Sequence, residues 1–146
     1  MQRDRNNAQI KVKADLEKTR LSPTLLLLSD DKALAELVRG IAKRPWKLIR
    51  QATDGHMSRE VFTRPNVRLV VLDDQTVEET DRGWLLAQIR KHFSGNSLLY
   101  IAGSQSDANE KRARTNGAHY YISKPLSFER LRYVLQSFLQ FQQVKG

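Results

Sequence analysis

The chain has 146 residues, 40% apolar and 28% charged, which suits one globular domain with a core of its own. It contains no cysteine, which excludes disulfides, thiolate zinc sites and thiol catalysis, and no run approaches the roughly 20 apolar residues of a bilayer span. Lys and Arg outnumber Asp and Glu by 25 to 16, giving a net charge of +9 and a surface that attracts acidic partners or nucleic acid.

Residues 1–22 are polar with scattered apolar positions and read as a basic tail or weak helix ending near Pro23. No apolar segment of signal-peptide type follows Met1, and the absence of cysteine is compatible with a reducing compartment, so a cytoplasmic protein is expected. Thr24 to Ser29 is a nearly continuous apolar run, the pattern of a central strand buried on both faces. Asp30 or Asp31 then caps a helix whose Leu34, Leu37, Val38 and Ile41 share one side. Trp46 to Ala52 is predicted as the second strand, Asp54-Gly55 as a turn, and His56 to Thr63 as a short helix stopped before Pro65. Arg68 to Leu72 is the third strand.

Thr76 followed by Glu79 has the spacing of a capping box opening a helix that carries Leu85, Leu86, Ile89 and Phe93 inward. Leu98 to Ala102 is the fourth strand. Gln105 to Asn116 is a polar helix ended by Gly117, and His119 to Ile122 the fifth strand. Ser127 caps a last helix with Leu131, Val134, Leu135 and Phe138 as its inward stripe. Five strands alternating with five helices predict an α/β, doubly wound, five-stranded parallel sheet of flavodoxin-like order 2-1-3-4-5, spanning residues 23–143.

In such a sheet, the carboxyl ends of the strands face one crevice. Asp30-Asp31, Asp73-Asp74 and Lys124-Pro125 all fall at strand ends, so an ammonium and several carboxylates are brought together. That set suits a divalent cation and a phosphoryl group.

Four segments in order carry a family likeness: LLLLSDDKALAELV, QATDG, RLVVLDD and NGAHYYISKP. With them the chain resembles a bacterial response-regulator receiver domain of the chemotaxis-regulator type, with a partly degenerate active site. The resemblance implies a two-component phosphorelay role, in which Asp73 takes a phosphoryl group from a histidine kinase or phosphotransfer protein. Asp74 competes for that role, but the apolar strand ends at Leu72 and favours Asp73. Lys124 would contact the phosphoryl group, and Pro125 would follow a cis bond. Mg²⁺ would be held by Asp30, Asp73 and the Gln75 carbonyl, with Ser29 as a further candidate. Such a module is not an enzyme acting on a separate substrate, although it catalyses its own phosphoryl transfer and autodephosphorylation.

Departures from the family pattern bear on switching. Ser29 stands where the first acid of the metal pair belongs, Ala102 where a Thr or Ser hydroxyl contacts the phosphoryl group, and Val77 where proline is usual. Tyr121 matches the aromatic switch residue, and without a hydroxyl at position 102 it is expected to turn inward constitutively. The alternative function is therefore a phosphorylation-independent pseudoreceiver acting as a protein interaction domain. A weaker alternative is nucleic-acid binding through the tail and the basic cluster of Lys43, Arg44, Lys47 and Arg50 around Trp46. Tyr133, Leu139 and Phe141 lie off the inward stripe of the last helix, and receivers commonly dimerise through their fourth and fifth helices. His56, His92 and His119 sit on separate elements and read as packing residues.

Overall fold

A computed structural model describes residues 22–51 and 59–145, with side chains through residue 139. Among these residues five strands form: β1 (Thr24–Leu28), β2 (Lys47–Gln51), β3 (Val67–Asp73), β4 (Ser97–Ala102) and β5 (Tyr120–Ser123). They form one parallel sheet in the order β2-β1-β3-β4-β5. The α-helices among the described residues are α1 (Lys32–Ile41), α2 (Glu79–His92), α3 (Asp107–Thr115) and α4 (Phe128–Lys145). Between β2 and β3 the described part of the expected short helix, Arg59–Thr63, is a 3-10 helix; residues 52–58, and so Asp54-Gly55 and His56, lie outside the described residues. The basic tail, residues 1–21, lies outside them too.

Strand alternation sorts the core into two layers. Leu25, Leu27, Leu69, Val71, Leu99, Ile101 and Ile122 pack against Leu34 and Val38 of α1 and Leu131, Val134 and Leu135 of α4. Leu26, Leu28, Val70, Leu72, Tyr100, Ala102 and Tyr121 pack against Leu85, Leu86 and Ile89 of α2 and Ala113 of α3. β1 is buried along its whole length because both its faces are covered, which is why its sequence does not alternate.

Helix ends follow local chemistry except at Thr76. Asp31, not Asp30, caps α1, its carboxylate accepting from the Leu34 amide at 3.1 Å. Ser127 Oγ accepts from the Arg130 amide, and Gly117 takes a positive φ of 104° just past α3, a conformation glycine adopts without Cβ strain. The capping box at Thr76 does not form. Its hydroxyl instead accepts from the Asp30 amide at 2.9 Å, a 3-10 turn (Asp74–Thr76) intervenes, and Glu78 caps α2 without a side-chain bond.

Two surface expectations also change. Leu139 is buried in the α1–α4 layer, Tyr133 is exposed, and the side chain of Phe141 lies outside the described residues. Trp46 is buried, so it offers no base-stacking face to the basic cluster around it. His92 stacks on Phe62, and His119 Nδ1 accepts from the Leu98 amide.

Candidate functional site

Register builds the crevice. Leu28 pairs with Leu72, so the next residues on each strand, Ser29 and Asp73, stand level and on the same side of the sheet. Ser29 Oγ donates to Asp73 Oδ2 at 2.8 Å. On the other side of β3, Asp73 pairs with Ile101 and Ala102 with Ser123, which brings Lys124 to the same end. Lys124 Nζ lies 3.0 Å from Asp73 Oδ2, and the Lys124–Pro125 bond is cis.

Asp73 is 1% exposed, and both of its oxygens are hydrogen-bonded: Oδ2 by Ser29 and Lys124, Oδ1 by the Gln75 amide at 3.2 Å. A carboxylate so far from water requires such partners, since desolvating an unpaired charge costs several kcal/mol (about 3–5 when one member of a buried pair is lost). The same ammonium bonds Asp31 Oδ2 at 3.3 Å and Gln75 Oε1 at 2.9 Å. The Leu34 amide first, and Lys124 after it, hold the Asp31 carboxyl below its ordinary range.

Of the expected metal ligands, Asp73 and Ser29 are in contact, while Asp30 is an exposed residue at the rim. Arg50 of β2, which sequence reasoning missed, donates to the carbonyls of Ser29 and Asp30 at 3.1 and 3.2 Å, placing a cation beside the acidic loop. No group of three or more His, Cys, Asp or Glu gathers for a metal among the described residues. A Mg²⁺ there would draw on Asp73, the Gln75 carbonyl and the Asp30 carboxylate, with water and phosphate oxygens completing its shell.

A second cluster lies across the strand. Asp74, 3% exposed, accepts from Tyr100 Oη at 2.9 Å, the Gly103 amide at 2.8 Å and Asn109 Nδ2 at 3.2 Å, with Arg82 Nη1 at 3.9 Å. Asn109 Nδ2 also donates to Tyr121 Oη at 3.3 Å, and the Tyr100 and Tyr121 rings stack 5.5 Å apart. Tyr121 is turned inward, 6% exposed, beside a wholly buried Ala102. Burial, and after it the Asp74 charge, pushes the Tyr100 phenol well above its ordinary value. Only strand parity signalled this cluster: Asp73 and Asp74 cannot both face the crevice. Nothing in the sequence pointed to Asn109 or Arg82.

No family model matches the chain, and no curated protein matches it. Solved structures do. A response regulator from Thermotoga maritima superposes with a TM-score of 0.68 at 20% identity, covering 82% of this chain and 99% of that one. A CheY-like receiver domain from Methanospirillum hungatei JF-1 gives 0.68 at 22% identity, over 85% and 98%. A Burkholderia pseudomallei response regulator with a phosphorylated aspartic acid, calcium ion and citrate gives 0.62 at 20% identity, over 85% and 73%. The fold is therefore that of response-regulator receiver domains. No described helix is long and apolar enough to cross a membrane.

Proposed function

We propose that this domain is the phosphoacceptor module of a two-component phosphorelay, with Asp73 as the acceptor and a histidine kinase or phosphotransfer protein as its donor. The observation that carries this reading is the 3.0 Å contact between Lys124 Nζ and Asp73 Oδ2, at the ends of β5 and β3 on either side of β4. In the reaction an Asp73 oxygen attacks phosphorus, the N–P bond of the phosphohistidine breaks, and its electron pair returns to the imidazole. Lys124 balances the charge that reaches the phosphoryl oxygens, and positioning supplies the rest. A bound Mg²⁺, held by Asp73, the Gln75 carbonyl and Asp30, would add further neutralisation. Incubation with a small-molecule phosphodonor and Mg²⁺ followed by intact mass measurement tests the proposal. One phosphoryl adduct is expected, and a chain that stays at its unmodified mass sinks it.

A second reading, a phosphorylation-independent interaction domain, is favoured by one specific observation. The residues that would report on Asp73 are tied to Asp74 instead.

A further inference from the structure

We propose that Asp74 is a positioning residue: a buried carboxylate that holds the β4–α3 loop, α3 and the Tyr100–Tyr121 pair in one arrangement, whatever charge Asp73 carries. The inference does not depend on whether Asp73 accepts a phosphoryl group.

Three separate elements converge on this one carboxylate. Tyr100 comes from β4, the Gly103 amide from the following loop, and Asn109 from α3. Asn109 passes the restraint on to Tyr121 of β5. Hydrogen bonds to a buried carboxylate are the strong kind, and a donor left behind without its acceptor is penalised again by burial. Arg82 secures the anion from α2, its Nε donating to the carbonyls of Asp74 and Val77. Gly103 is clamped from the other side as well: the Gln75 side chain lies over it and leaves no room for a Cβ.

Charge added at Asp73 meets none of the groups that bond the Asp74 carboxylate; the one link is Gln75, whose amide serves Asp73 Oδ1 and whose side chain covers Gly103. Asp73 points to the α1–α4 side of β3 with Ser29 and Lys124, whereas Asp74 points to the α2–α3 side. Ala102, on the α2–α3 side with Tyr121, has no hydroxyl to move. A ligand shifts an equilibrium only by its differential affinity for two states, and here the loop already satisfies its donors in one of them. The surface formed by α3 and β5 thus presents a single state.

Amide and aromatic NMR spectra of the full chain, with Asp73→Asn and Asp74→Asn, test this. An asparagine at 74 sets an amide NH₂ against donors from Tyr100 or Asn109. The Gly103 amide should then move upfield, and the Tyr100 phenol should ionise at lower pH. Asp73→Asn should leave the Gly103, Asn109 and Tyr121 signals in place. Equal displacement of those signals by both substitutions, or none by Asp74→Asn, overturns the proposal. Should Asp74→Asn fail to fold, Asn109→Ala serves, since that residue is half-buried. It should release the Tyr121 signals and leave the Gly103 amide where it was, and unmoved Tyr121 signals overturn the proposal. Phosphodonor treatment separates the two readings. An adduct without movement in α3 and β5 supports both, and an adduct with movement overturns this one alone. Absence of an adduct overturns the acceptor reading alone and leaves the variants to decide here.

Discussion

Asp73 and Asp74 are consecutive residues whose carboxylates engage disjoint partners on opposite sides of one strand. Asp73 is held by Ser29, Lys124 and the Gln75 amide, and Asp74 by Tyr100, Gly103 and Asn109. One carboxylate faces the crevice beside Lys124, and the other bonds β4, the loop after it and α3.

This division predicts which aspartate is modified. With a phosphodonor and Mg²⁺, the mass adduct should vanish in Asp73→Asn and persist in Asp74→Asn. The reverse pattern would move the acceptor by one residue.

Lys124 should matter for stability as much as for chemistry. Lys124→Met leaves Asp73 buried with a hydroxyl and an amide but no counter-charge, a loss on the order of 3 kcal/mol by urea unfolding. Adding Asp73→Asn should recover part of that loss, because the unpaired charge is then gone. Additive single losses would show that the two groups are not coupled.

Ser29→Asp would set a second carboxylate within hydrogen-bonding distance of Asp73. Without a dication the two repel and the variant should melt below the parent; with Mg²⁺ the added anionic ligand should reverse that order. Thermal unfolding with and without Mg²⁺ reads both effects, and a Mg²⁺-insensitive variant would show that position 29 does not face the metal.

Asp31→Ala removes the α1 cap and one partner of Lys124, at about 1 kcal/mol from the cap. Because the folded carboxyl titrates below its ordinary range, its contribution is present above the unfolded value and disappears as pH falls through the folded one. The stability gap between parent and variant should therefore be constant near neutrality and close below about pH 4.

Tyr100 sets the alkaline limit. Its phenol is raised by burial and by Asp74, so its contribution is complete below about pH 10 and declines above that, as the unfolded chain ionises and the fold does not. Tyr100→Phe should flatten the alkaline slope by up to about 1.4 kcal/mol per pH unit. An unchanged slope would place the titrating group elsewhere.

The alternation of elements, the strand order and the strand-end positions of Asp73 and Lys124 are legible in the residues alone. Those features rest on local rules: continuous apolar runs for strands covered on both faces, period-3.6 stripes for helices, and glycine where the chain turns left-handed. Side-chain partners obey no such local rule. Thr76 has the spacing of a cap, yet its hydroxyl serves Asp30, 46 residues earlier in the chain. Asp31 has a neighbour equally suited to the crevice, yet it is Asp31 that reaches Lys124, 93 residues away. Arg50 reads as part of a basic patch and is spent on two carbonyls of the β1–α1 loop. The Asp74 cluster is the clearest case, since it joins β4, α2 and α3 through groups whose meeting depends on sheet register and helix docking together. A hydrogen bond selects its partner by angle and distance within a few tenths of an ångström, and only the packed tertiary structure sets those.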